Sequence, residues 1–228
     1  MLQKFLFLSI FTVVGFLTLQ VPFSRLAGSS ISFTLFDFFA PIAGAFLGPI
    51  YGIISVFSVE IVNVYIKQTP MTNASIIRLF PLLFATLYFS LITKKQIGKW
   101  ILLVPIICIL AFVIHPIGRE VWYYSLFWTI PLLSFIKKDN LFIKSLGATF
   151  TAHGVGGAAW IWALNLPANV WNSLIPIVIT ERLLFALGIS VSYLVVKYTL
   201  DFLISKKILP AYASAQATAY DLSKSQIS

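Results

Sequence analysis

Long apolar runs separated by short polar punctuators set the outline of this chain. With roughly 17–25 residues needed to cross a bilayer as a helix, apolar segments fall at 5–22, 33–48, 50–66, 74–92, 100–115, 121–136, 142–164 and 171–196. Between them lie SRLAGSS at 24–30, Gly48-Pro49, KQTPMTN at 67–73, TKKQIGK at 93–99, HPIGRE at 115–120, KKDN at 137–140 and LPAN at 166–169, rich in the residue types that end helices and form turns. The pattern predicts an all-α fold, a polytopic membrane bundle of about eight helices forming a single domain over 1–208. The Ala- and Ser-rich stretch 209–228 reads as a flexible cytoplasmic tail. Residues 5–19 follow Lys4 without a nearby small-x-small cleavage site, so a retained first span is expected.

Seven spans result if 33–66 is one long helix. Pro49, however, cannot donate to a helix ladder and disfavours helical dihedrals at Gly48, which points to a hairpin turning there. Within it Ala40, Gly44, Gly48 and Gly52 recur at every fourth position. Small residues at that period let helix backbones approach closely inside a bilayer, so they read as a helix-packing ladder.

Composition strengthens the membrane reading. The chain is 59% hydrophobic and only 10% charged, with a mean hydropathy of +0.95, whereas soluble domains carry about 25% charged residues. The net charge of +9 would suit nucleic acid, but the basic residues sit between apolar runs without aromatic interleaving. They are topology signals, and no nucleic-acid partner is expected. With eight spans and the N-terminus inside, Lys4, Lys94, Lys95, Lys99, Lys137, Lys138, Lys144, Lys197, Lys206, Lys207 and Lys224 are cytoplasmic, against Arg25, Lys67 and Arg119 outside. Both termini are thus expected in the cytoplasm, and Trp122, Tyr123, Tyr124 and Trp171 read as interfacial anchors. The single Cys108 rules out an internal disulfide and a Cys-rich metal site.

Ionisable groups within apolar segments are costly and mark function more often than packing. At about 1.5 Å per residue, Glu60 and Arg78 lie about 10 Å and 8 Å below the outer ends of their helices, a shared level at which they could pair. Asp37 opens the second segment near that level, and Asn63 shares a helical face with Glu60. His153 and Glu181 lie deeper, about 18 Å and 15 Å in, with Arg182 beside Glu181 and Trp160 following His153 along one face. Asn172, Pro176 and Thr180 share a face of the last segment, where Pro176 is expected to interrupt the hydrogen bonding. Asp37, Glu60, Asn63, Arg78, His153, Trp160, Asn172, Glu181 and Arg182 therefore form the candidate substrate-binding set, an outward-facing pocket for a small polar ring compound. The bland readings are structural ion pairs for Glu60 with Arg78 and for Glu181 with Arg182, an N-cap or interfacial role for Asp37, and one interhelical hydrogen bond for His153.

Catalytic signatures are absent: the chain has no G-x-x-x-x-G-K-[ST], no H-E-x-x-H and no G-x-S-x-G. His115 and His153 lie at different depths, which disfavours a bis-His haem, and no cofactor, metal or catalytic residue is expected. Two other readings stay open, an intramembrane enzyme using His153 and Glu181 as acid and base, and a membrane scaffold without a ligand.

The run SRLAGSSISFTLFDFFAPIAGAFLGPIYGIISVFSVEIVN, with its Gly48-Pro49-Ile50-Tyr51-Gly52 turn, resembles the early region of the substrate-binding S components of energy-coupling-factor (ECF) vitamin and micronutrient transporters. The likeness covers residues 5–66 and, more loosely, 145–200. Members of that family usually have six helices. The resemblance implies a small multi-pass protein of a prokaryotic cell membrane that captures a vitamin-like nutrient at its outer face. It also implies docking to a separate transmembrane coupling protein with ATPase subunits, a division of labour that suits a chain lacking its own ATP-binding motif.

Overall fold

Apolar side chains fill the long segments, so the backbone must satisfy its polar groups within itself, and helices result. The computed structural model describes residues 2–25, 32–93, 99–136 and 139–207. Their order is α1 (Leu2–Leu19), β1 (Pro22–Arg25), β2 (Ser32–Thr34), α2 (Phe36–Leu47), α3 (Pro49–Ile66), α4 (Asn73–Arg78), α5 (Pro81–Thr93), α6 (Leu103–Ile114), α7 (Pro116–Glu120), α8 (Ile130–Ile136), α9 (Leu141–Leu164) and α10 (Ala168–Ser205). Short 3-10 segments, Lys99–Leu102 and Trp122–Thr129, precede α6 and α8. The expected tail at 209–228 and Lys94, Lys95, Lys137 and Lys138 lie outside the described residues.

The all-α class holds, with one exception. Strands β1 and β2 pair antiparallel, Pro22 opposite Thr34 and Ser24 opposite Phe33, where the sequence reads only as a loop. Strands of three or four residues are too short to carry a recognisable alternation.

The break expected at Gly48-Pro49 is present. Gly48 adopts φ 89° and ψ 169°, a region essentially confined to glycine, and Pro49 opens α3 where its missing N–H costs nothing. The two helices turn back on each other so closely that a Cβ on Gly52 would lie 2.7 Å from the Cα of Gly44. A Cβ on Gly44 would in turn strike the backbone carbonyl of Thr86 in α5. Ala40, Gly44, Gly48 and Gly52 are thus all buried, and α2 packs between α3, α5 and α10.

Among the described residues three helical stretches, Pro49–Ile66, Asn73–Thr93 and Ala168–Ser205, are long and apolar enough to cross a membrane, and shorter apolar helices accompany them. Leu17, Phe57, Ile107, Leu133, Leu187 and Val195 are among many large apolar side chains on the exterior, a surface consistent with a membrane protein. Inside, α9 packs against α5, α6, α8 and α10. Its Gly, Ala and Thr residues make it the least bulky of the long helices and let neighbours close around it.

Two residues of the long helices stand out. Pro176 costs α10 one ladder hydrogen bond, as expected, and the helix nonetheless runs on over 38 residues. Lys144, expected on the cytoplasmic side, lies near the start of α9 and is 1% exposed.

Candidate functional site

Four helices bring charged side chains to one interior cavity of about 170 Å³. Asp37 enters from α2, Glu60 from α3, Arg78 from the end of α4, and Glu181 and Arg182 from α10; His153 and Trp160 of α9 complete the wall. Pro81, Tyr124, Trp171 and Phe33 supply apolar and aromatic lining.

Local structure explains several placements. Pro81 cannot continue the ladder from α4, so the chain bends at Leu79 and Phe80 and leaves Arg78 at the bend. Asp37, in the first turn of α2, accepts hydrogen bonds from the Thr34 backbone N–H at 2.7 Å and from its hydroxyl at 3.3 Å. Asp37 is not the N-cap of α2, which is Leu35; it ties the first turn back to Thr34 and lines the cavity. Arg78 lies close enough for its charge to act on both Asp37 and Glu60.

Arg182 is the most constrained member. Only 6% exposed, it donates from Nη1 to the Thr149 hydroxyl at 3.3 Å and from Nη2 to Glu181 Oε2 at 3.4 Å. Its guanidinium lies over the Phe185 ring, 4.3 Å from the centroid, and 5.4 Å from that of Phe33. Its Nε is buried without a hydrogen-bond partner among the described residues. The i to i+1 offset separates the two side chains around the helix, but the long arginine folds back and makes the pair.

His153 is held at both ring nitrogens. Nδ1 lies 3.1 Å from the indole Nε1 of Trp128, and Nε2 lies 3.1 Å from the Tyr124 hydroxyl. Trp128 comes this close because Gly154 and Gly157 face it. No group of three metal-ligand side chains occurs among the described residues.

Residues of both depth tiers expected from the sequence line one cavity. At 38 residues, α10 is about 57 Å long, well beyond the roughly 30 Å of a bilayer core. Phe38, next to Asp37, packs its ring on Gly188 and Phe185, so the start of α2 and the middle of α10 share a level.

Asn63 and Asn172 depart from the expected set. Asn63 lines a second cavity of about 430 Å³ with Gln20, Lys67, Thr69 and Ser75, and Gln20 Nε2 donates to its Oδ1 at 3.3 Å. Glu60, Arg78 and Leu19 line both cavities and stand between them. Asn172 is exposed on the opposite side of α10 from the cavity and accepts a 2.6 Å hydrogen bond from the Tyr123 hydroxyl. Conversely, Tyr124 and Trp171, expected as interfacial anchors, are buried at the cavity. Thr149 lay one turn before His153 and could have been found by that spacing; nothing in the sequence signalled Trp128.

The chain is 28% identical over 203 residues to an uncharacterized protein of Methanocaldococcus jannaschii, a match spanning 80% of this chain and 67% of that one. No protein-family model matches the chain, and no solved structure does.

Proposed function

We propose that the protein is a multi-pass subunit of a prokaryotic cell membrane that binds a small polar or vitamin-like nutrient in the cavity between α2, α9 and α10. In this reading the eight apolar segments span the bilayer with both termini in the cytoplasm. A separate transmembrane coupling protein with ATPase subunits energises uptake, as in the S components of ECF transporters. The observation that carries the proposal is the convergence of Asp37, Glu60, Arg78, Glu181 and Arg182 with His153 and Trp160 on one cavity. Ion pairs that served only to join helices would have no need to surround a shared void, and gathering five ionisable groups around one, Glu60 and Arg182 buried and the others half-buried, is costly unless something polar fills it. The second cavity, with Lys67 and Asn63 in its wall, supplies a polar route that meets the first at Glu60 and Arg78. An intramembrane acid–base role for His153 receives less support, since both of its ring nitrogens are engaged.

The test is thermal unfolding of the purified full chain in lipid nanodiscs against a panel of water-soluble vitamins and their ring precursors. At least one compound is expected to raise the melting temperature, and Glu60→Ala and Arg78→Ala are expected to abolish that shift. A silent panel, or shifts and cellular uptake unchanged in both variants, would refute the reading.

A further inference from the structure

One proton in the cavity wall can be followed from donor to donor. An indole N–H has no lone pair to accept with, so at the 3.1 Å contact Trp128 donates and His153 Nδ1 accepts. With Nδ1 bare, the imidazole is neutral and carries its proton on Nε2. That nitrogen donates to the Tyr124 oxygen 3.1 Å away. The hydroxyl hydrogen of Tyr124 must then find an acceptor other than His153.

Among the described residues there is none. The neighbours of the Tyr124 ring are other rings: Trp171 at 5.0 Å, Phe112 at 5.8 Å and Phe127 at 5.9 Å between centroids. Arg182, whose charge reaches Tyr124, can only donate, and Glu181 forms no hydrogen bond with the phenol. Tyr124 is 2% exposed, so bulk solvent does not serve it. The remaining open side is the cavity that Tyr124 and His153 both line.

We infer that Tyr124 is the hydrogen-bond donor that this cavity presents to its ligand, and that the ligand is a small ring compound with an acceptor, a ring nitrogen or carbonyl oxygen, on the edge meeting Tyr124. His153 and Trp128 are positioning residues that turn the phenolic hydrogen inward. The size follows from the void: a cavity of about 150 Å³ holds benzene, so 170 Å³ takes a single or small fused ring. This deepens the nutrient-binding reading and rests on it.

Indole and indazole make the test, because they share a shape and an N–H donor and differ by one ring-nitrogen acceptor. Isothermal titration of the full chain in nanodiscs should find indazole the tighter ligand by roughly fivefold to tenfold, the worth of one hydrogen bond. Tyr124→Phe should erase the preference, so that indazole and indole bind this variant with equal affinity. Nitrogen NMR of His153 supplies a readout independent of ligand, with the proton on Nε2 and Nδ1 bare at neutral pH. Equal affinities, a preference that survives Tyr124→Phe, absence of saturable binding by either ring, or a proton on Nδ1 would each overturn the inference. A vitamin panel that still gives a cavity-dependent shift would leave the broader function standing; a silent one would remove both.

Discussion

Replacing Gly157 by alanine puts a methyl carbon 2.6 Å from Cζ2 of Trp128, where non-bonded carbons ordinarily sit roughly 3.5–4.0 Å apart. The indole must retreat by about 1 Å to restore that distance. Trp128 has little room, being fully buried with Phe112 edge-on at 5.1 Å and Tyr124 at 6.3 Å. A retreat of that size would stretch its 3.1 Å bond to His153 to about 4 Å, beyond hydrogen-bonding range. Overpacking costs about 1–3 kcal/mol and the lost hydrogen bond about 1 kcal/mol. Alanine returns about 1 kcal/mol as the better helix former. The net loss is about 1–3 kcal/mol by these terms, a fall in melting temperature on the order of 5 °C for a chain of this length. Thermal unfolding in nanodiscs, followed by tryptophan emission, reads the stability, and nitrogen NMR of His153 reads the broken contact.

Two neighbouring glycines serve as internal references. A Cβ on Gly154 would lie 3.3 Å from Trp128 Cγ, and one on Gly156 would lie 3.5 Å from Pro81 Cγ. Gly154→Ala should thus cost less than Gly157→Ala, and Gly156→Ala should be nearly neutral. A Gly157→Ala protein that melts within about 1 °C of the parent and keeps its His153 spectrum would refute the view that glycine at 157 seats Trp128.

Gly48→Ala should lose about 1–3 kcal/mol, because φ 89° with ψ 169° is a region that side-chain-bearing residues rarely adopt; a variant as stable as the parent in the same melting assay would show that the turn relaxes without cost. Asn172→Ala should change stability by less than about 0.5 kcal/mol and leave ligand-induced melting shifts intact, since Asn172 is exposed and bonded only to Tyr123; loss of those shifts would place Asn172 at the ligand after all.

Much of the fold was legible in the chain. Each apolar segment coincides with helix over most of its length, and Gly48-Pro49 marks a real turn because its constraints are local to two residues. The site was legible in its membership more than in its geometry. Asp37, Glu60, Arg78, His153, Trp160, Glu181 and Arg182 stand out as polar groups in apolar surroundings, and they share a cavity. Asn172 stood out by the same rule and lies elsewhere, because a helical face can be grouped from spacing but its partner cannot. Tyr124 went the other way, since a tyrosine beside Trp122 at a segment start looks like an anchor whether it faces outward or in.

The sequence by itself determined the class of secondary structure, the hairpin turn and the choice of residues too polar to be spent on packing, all of which follow from local backbone preference and the cost of burying charge. Tertiary structure alone decided that residues of two apparent depth tiers line one cavity, that Lys144 is buried, and that Trp128 and Tyr124 close on the two ring nitrogens of His153. These depend on how long helices slide and face one another. That register is set by contacts such as Phe38 on Gly188 and Trp128 on Gly157, between residues far apart in the chain.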